Sequence, residues 1–329
     1  MTSVGGEEKK RERTTPTEEA FVSLSLDRAP RHRRDPGWRA SRMASDDARF
    51  YPIWGSRVLI SEQSPPRPAW LSADDVQPYL AEAESLVFLG EDQRGAHFTL
   101  GFAYDGGPPP GFLTQFGRIC QLREVVPLVD AASATLLAYA KAMVHYHHQH
   151  RFCPRCGAPT VSAEAGHLRV CTDETCGRQD FPRTDAAIIV LVRSGDRCLL
   201  GRQASWTDHT FSIIAGFVEP GETLEGAVAR EVREETGILV TDVEYVSSQP
   251  WPFPRSLMVG FTATATNTEI CLCDGELEDA RWFSRQDIVR GLTSDSLRLP
   301  SSISISRRLI ESWFDAGDEM SLTEILRQQ

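Results

Sequence analysis

"GFVEPGETLEGAVAREVREETGI", Gly216–Ile238, is the stretch from which the rest of the chain is read. Pro220-Gly221 punctuates it, Glu222 opens a first turn, and Gly237 stands where a helix-ending glycine belongs. The spacing predicts a helix of about four turns between them. At roughly 100° per residue, Glu231 and Glu235 lie about 40° apart, with Glu234 about 60° to the other side. Carboxylates at i and i+4 repel and weaken a bare helix. Val228 and Val232 flank the acidic arc, so the carboxylates lie beside the buried stripe, and no lysine interrupts them. Hard divalent cations would relieve the repulsion, and all-oxygen ligands suit Mg²⁺ or Mn²⁺. Such ions bridge phosphate oxygens and activate a water.

Gly216, Glu222, Arg230, Glu231, Val232, Glu234, Glu235, Gly237 and Ile238 fill, position for position, the pattern G-x5-E-x7-R-E-U-x-E-E-x-G-U, with U apolar. This resembles the box of the Nudix hydrolases. The resemblance implies an α+β chain ending in a Nudix α/β/α sandwich with a mixed sheet. It also implies hydrolysis of a nucleoside diphosphate linked to some other moiety. By residue, it implies that Glu231 and Glu235 bind the catalytic metal and that Glu234 shares metal binding or positions the water. Arg230 would orient the carboxylates, Glu222 would support the loop or reach a metal, and the Ala215 carbonyl would be a further ligand. The competing reading is an acidic surface helix, which does not account for the whole pattern.

Upstream, Cys153-Pro-Arg-Cys156-Gly and Cys171-Thr-Asp-Glu-Thr-Cys176-Gly form two pairs around a short segment containing "HLRV". Four thiolates at that spacing close a tetrahedron around zinc, with a hairpin between the pairs. Four cysteine ligands leave no open position, so the predicted zinc is structural. Of the other cysteines, Cys271 and Cys273 in "EICLCD" are read as core packing on a strand, with a second metal site as the alternative. "HYHHQHRFC" (His145, His147, His148, His150) is either a metal site or an exposed helix end where histidine complements the dipole. The second reading is preferred, because no carboxylate or cysteine completes a site on the same face.

Downstream, "SQPWPFPRS", Ser248–Ser256, packs three prolines, a Trp and a Phe into nine residues. It suits neither a helix interior nor a central strand. The stretch resembles the signature of the NADH pyrophosphatases within the Nudix superfamily. So do the cysteine segment and a β-rich α+β region before it, which extends the similarity over nearly everything beyond the first twenty residues. The resemblance implies that Gln249, Pro250, Trp251, Pro252, Phe253, Pro254, Arg255 and Ser256 meet the substrate, their rings stacking on bases at about 1–3 kcal/mol each. The alternative is a Pro-rich connector that packs its Trp into the core. The resemblance further implies a metal ligand at Glu276, a nicotinamide-stacking ring at Phe181 where many relatives have Tyr, and backbone contact at Ser306. At Asp279 some relatives carry Glu, which leaves a carboxylate role there in doubt.

Composition is consistent with this. Hydrophobic content of 41% and charged content of 25% suit a globular protein. No apolar run approaches a membrane span of roughly 20 residues. With no signal-peptide h-region, the chain reads as cytoplasmic. The net charge of −11 opposes broad electrostatic binding to nucleic acid, though not a local basic patch. "RVLI", "SLVFLG", "HFTLGFAY", "AAIIVLV", "SLMVGFTATA" and "DARWF" read as strands. A helix is expected from Asp130 to Gln149, and a closing helix in "SISRRLIESWFDAG". The expected organisation is a disordered tail at 1–20, an N-terminal domain at 21–149, a zinc ribbon at 150–182 and a Nudix domain at 183–329.

The expected activity is metal-dependent hydrolysis of NADH or NAD⁺ to nicotinamide mononucleotide and AMP, and removal of an NAD cap from RNA 5′ ends, by a homodimer. Two alternatives remain: a Nudix hydrolase of ADP-ribose or another dinucleotide, and a zinc-ribbon RNA-binding module with a silent Nudix domain.

Overall fold

The computed structural model describes residues 21, 24–104, 106–272, 275–317 and 320–327; the tail expected at 1–20 lies outside them. After helix α1 (Pro36–Met43) come strands β1 (Arg49–Trp54) and β2 (Arg57–Ile60), the short helix α2 (Ala73–Val76), and strands β3 (Ser85–Asp92) and β4 (Gly95–Phe102). Helix α3 (Gly111–Thr114), strand β5 (Arg118–Gln121), helix α4 (Leu122–Val125) and the long helix α5 (Ala131–Gln149) complete this part. The sheet order is β3-β4-β1-β2-β5, with β1 and β4 parallel. Side chains alternate across it with the strand period of two. Tyr51, Ile53, Val58 and Leu89 pack in one core cluster with Leu137 and Met143 of α5, while Phe50, Leu59, Phe88 and Phe98 form the other.

The ribbon is a three-stranded sheet of β6 (Thr160–Ala163), β7 (Leu168–Cys171) and β8 (Gln179–Asp180). The last part contains β9 (Asp185–Ser194), β10 (Arg197–Arg202), β11 (Ile214–Phe217), helix α6 (Leu224–Thr236), β12 (Val240–Trp251), β13 (Ser256–Ala265) and β14 (Asp279–Ser284). Helices α7 (Arg285–Thr293), α8 (Ile305–Asp315) and α9 (Leu322–Arg327) follow, the first and last of these unforeseen from sequence. The continuous apolar run of β9 is explained by two covered faces. Ile188, Val190 and Val192 pack with Val228 and Val232 of α6, while Ile189 and Leu191 pack with Leu309 and Phe314 of α8. This is the α/β/α sandwich.

The order of its sheet is β12-β13-β9-β10-β14, with β9 and β13 parallel and β11 added on β9. Counting strands within each part and setting β11 aside, both sheets run third, fourth, first, second, fifth. The N-terminal part therefore repeats the topology of the C-terminal part. It has no counterpart of β11 or of the acidic helix: only α2 and a turn of 3-10 helix fill the connection from Ile60 to Ser85.

Candidate active site and zinc ribbon

Helix α6 begins at Leu224, two residues later than the spacing suggested. Thr223 is its N-cap, its hydroxyl accepting from the Gly226 amide, so Glu222 lies in the preceding loop. Gly237 ends the helix in the left-handed conformation, at φ 69°, with its amide bonded to the Arg233 carbonyl.

Arg230 is the hub of the acidic face. Its Nε and Nη2 donate to the two Glu222 oxygens at 2.6 and 2.9 Å, and Nη2 also donates to the Phe217 carbonyl at 2.8 Å. Its Nη1 donates to Glu231 at 2.9 Å and Glu234 at 3.1 Å. The Arg230 hydrogen bonds hold Glu222 down to about 2, so this carboxylate is ionised at any working pH. Glu231 moves the other way. Burial raises it, Arg230 opposes the rise, and the nearby charges of Glu234 and Glu276 add to it.

That last contribution brings in Glu276, an exposed residue on the loop before β14, forty-five positions along the chain from Glu231. Glu235 is buried, at 3% exposure. Gly216 is required by close approach: a Cβ there would lie 1.9 Å from the Glu231 carboxyl carbon. Ala215, exposed on the same short strand, is its neighbour. A half-buried carboxylate raised by burial and by neighbouring like charges, pressed against bare backbone, suits a hard divalent cation with oxygen ligands. Asp279 is ion-paired to Arg281.

The four ribbon cysteines fit zinc: their sulfurs all lie within 4.8 Å of one another. Gly157 and Gly177, after the second cysteine of each pair, take positive φ as the turns demand. The reading of "EICLCD" does not hold for Cys271, which is exposed outside any strand; Cys273 lies outside the described residues. The histidine reading needs correction at His147. It is 3% exposed, its Nε2 donating to the Gly166 carbonyl and its Nδ1 accepting from Arg169. His150 does serve the helix end, donating from Nδ1 to the Tyr146 carbonyl.

"SQPWPFPRS" is the end of edge strand β12, the turn after it and the start of β13. An edge position is what Pro250 requires. Much of the motif faces its own chain. Gln249, 1% exposed, donates to the Ile303 carbonyl and accepts from the Ile305 amide, both at 2.8 Å, fixing the entry to α8. Its amide is thus engaged inside the protein instead of presented to a ring edge. Phe253 lies between Arg123 and Lys141, whose charged ends are 4.4 and 4.9 Å from its ring centroid, and Trp251 meets it edge-on at 5.1 Å. The Pro252 carbonyl accepts from Lys141, Arg255 pairs with Asp185 at 2.7 Å, and Ser256 is buried.

Ser306 is likewise buried, sharing a hydrogen bond with Ser212, and its amide donates to Ser304. Pro250 and Pro254 are exposed. Phe181 is the open ring, at 60% exposure. Phe217, also 60% exposed, stands beside the carboxylates and was not singled out from sequence. Its signal was a large apolar residue directly after the box glycine, where β11 ends.

Three family models match. The NADH pyrophosphatase-like rudimentary NUDIX domain covers residues 47–145, the NADH pyrophosphatase zinc ribbon domain 148–179, and the NUDIX domain 182–300. The NAD-capped RNA hydrolase NudC of Mycobacterium bovis is 39% identical over 306 residues, spanning 88% of this chain and 93% of the relative. The chain belongs to the NADH pyrophosphatase family of Nudix hydrolases. The NAD-capped RNA hydrolase NUDT12 of Homo sapiens is 33% identical over 340 residues, 90% of this chain and 73% of the relative. A NUDIX hydrolase from Nitrosomonas europaea aligns with 50% of this chain and 90% of its own, at 21% identity and a TM-score of 0.40. The repeated strand order agrees with a rudimentary NUDIX domain at the N-terminus: this pyrophosphatase carries the fold twice and the acidic helix once. Among the described residues, no helix is long and apolar enough to cross a membrane.

Proposed function

We propose that this Nudix hydrolase cleaves the pyrophosphate of NADH and NAD⁺ to nicotinamide mononucleotide and AMP, and removes NAD caps from RNA 5′ ends by the same cut. Water adds across one P–O bond of the bridge, and the displaced phosphate oxygen leaves on the other product. The observation that carries this is Arg230 holding Glu222, Glu231 and Glu234 beside Gly216, in a chain with the relatives named above.

Glu231, Glu235, Glu276 and the Ala215 carbonyl would hold the divalent cation, Mg²⁺ or Mn²⁺. When bound, it supplies charge neutralisation on the phosphate oxygens and lowers the pKa of a water. Arg230 fixes the carboxylates before substrate arrives, which lowers the reorganisation needed in the reaction. Glu234, exposed and held by Arg230, would share metal binding or position the attacking water. Phe181 and Phe217 offer open faces to the substrate rings; Trp251 and Pro250 line the cavity next to Phe181. The ribbon's zinc is structural and takes no part in the chemistry. A homodimer is proposed from the family resemblance; in a single copy Phe181 is 60% exposed. A cytoplasmic location is proposed from the sequence reading above.

The test is chromatography of NADH, ADP-ribose and NAD-capped RNA after incubation with protein and Mg²⁺ or Mn²⁺. Release of nicotinamide mononucleotide and 5′-monophosphate RNA is expected. Cleavage of ADP-ribose alone would replace the reading with a generic dinucleotide hydrolase, and RNA binding without any cleavage would replace it with a silent Nudix domain.

A further inference from the structure

A cavity of about 850 Å³ runs along α5 between the ribbon, the Phe181–Thr184 segment and the "SQPWPFPRS" turn. Its far end is formed by a segment the catalytic reading does not use. Six arginines lie between Arg28 and Arg42, in a chain whose net charge is −11. Two of them, Arg28 and Arg33, line the cavity together with Tyr139 of α5. The Arg28 guanidinium lies 4.4 Å from the Tyr139 ring centroid. The Tyr139 hydroxyl is buried and has no hydrogen-bond partner among the described residues.

Arg33 donates from Nε to the Arg28 carbonyl, and among the described residues no hydrogen bond or ion pair is seen for its terminal nitrogens. The carboxylates near them are engaged: Glu164 pairs with Arg34 at 2.7 Å, and Asp27 accepts from the Ala29 amide. Burial lowers the Arg33 pKa and Arg28 adds like-charge repulsion, while Tyr139, Glu164, which also lines the cavity, and Asp27 oppose the fall. Two guanidinium groups that repel each other beside an unpartnered hydroxyl fit a phosphate oxygen cluster.

The position of this end decides which phosphate. The cavity reaches Ser256 and Leu257 of β13, which pair with Asp185 and Ala186 on one edge of β9. Gly216 and Phe217 of β11 pair with Ile188 and Ala187 on the other edge. The near end of the cavity and the carboxylates therefore lie at the same end of the sheet, on strands either side of β9. NADH carries two phosphates, and hydrolysis requires both at the carboxylates. A second phosphate site serves only a ligand with a further phosphate. Exposed Arg31 extends the basic surface outward, beyond a dinucleotide's needs. Arg28 and Arg33 also precede residue 47, where the first of the matching family models begins.

We propose that Arg28, Arg33 and Tyr139 form a cradle for a phosphodiester of the RNA that follows the cap. This rests on the capped-RNA reading above. Its test compares the Arg28→Ala/Arg33→Ala double variant with the unaltered protein on NADH, on NADH bearing a 2′-phosphate, and on a short NAD-capped RNA. The expected result is a KM for RNA raised about ten-fold, with NADH turnover and melting temperature unchanged. Binding of a 5′-monophosphate RNA, read by fluorescence anisotropy without any cleavage, should weaken alongside. Its log–log salt slope should fall by about 0.7, one neutralised single-strand phosphate. The Arg28→Lys/Arg33→Lys variant should keep most of that slope, and Tyr139→Phe should weaken RNA binding less than the double alanine variant.

Unchanged RNA affinity and slope overturn the proposal, as does equal loss on NADH, or loss confined to the 2′-phosphorylated dinucleotide. If the unaltered protein cleaves none of the three substrates, the catalytic reading fails; the anisotropy result then decides the cradle by itself.

Discussion

Lys141 and Phe253 meet across the boundary between the N-terminal sheet and the Nudix sheet. The ammonium lies 4.9 Å from the ring centroid and donates to the neighbouring Pro252 carbonyl at 2.5 Å. Burial, and then the charge of Arg123, lowers Lys141 to about 8. A lysine held at that disadvantage is retained by the contacts it makes, here a carbonyl and an aromatic face.

The contact separates two rings that the sequence treats alike. Phe253→Ala should destabilise the protein by about 2–4 kcal/mol, the cost of removing a partly buried aromatic side chain. It should leave the ratio of NADH to ADP-ribose turnover unchanged. Phe181→Ala should do the reverse: melting temperature held, NADH turnover weakened by about 1–3 kcal/mol, ADP-ribose spared. Thermal melts and the two activities on each variant decide it. A shifted substrate ratio in Phe253→Ala with no loss of stability would return that ring to the substrate.

The acidic helix yields a second pair. Glu235→Gln keeps size and helix propensity but removes a buried charge, and should cut kcat by two or more orders of magnitude, as loss of a transition-state electrostatic contact does. Glu225→Gln, on the exposed first turn, should stay close to unaltered. Circular dichroism should show both folded. Equal losses would remove Glu235 from the metal set.

Zinc is the third. Elemental analysis of freshly purified protein should find one zinc per chain, surviving dialysis against weak chelators. Cys153→Ser should lower the denaturation midpoint substantially, since metal binding free energy is folding free energy in such modules. Active protein without zinc would end this assignment.

A fourth prediction concerns acid. Burial holds His147 and His167 at about 4, well under the usual 6.5; His167 donates from Nε2 to the Phe88 carbonyl, tying the ribbon to β3. The unfolded chain takes up these protons between pH 6.5 and 4 while the folded chain does not. Stability is therefore complete above about 6.5 and lost as pH falls toward 4. His167→Gln keeps a donor but does not titrate, so its urea midpoint should fall less between pH 7 and pH 5 than that of the unaltered protein. Parallel curves would refute the assignment.

What could be read in advance was short-range. The spacing Glu231–Glu234–Glu235 places carboxylates on one helix face whatever surrounds them, and paired cysteines with two or four residues between them close a turn by themselves. The strand that bears "AAIIVLV" was legible because burial on both faces leaves an unbroken apolar run. The helix start was missed by two residues, since Glu222 suits a first turn and only the bond from the Gly226 amide shows that Thr223 caps.

By itself, then, the sequence determined the acidic helix and the four-cysteine ribbon. Each depends on neighbours a few positions away, where helix and turn geometry dictates distance. Tertiary structure alone decided that Gln249 is a structural clamp on Ile303 and Ile305, residues 54 and 56 positions away. It alone decided that Phe253 packs under Lys141, whose bond to Pro252 spans 111 positions. A ring or an amide in a motif has the same local chemistry in both roles; which role it plays depends on the partner that folding carries to it.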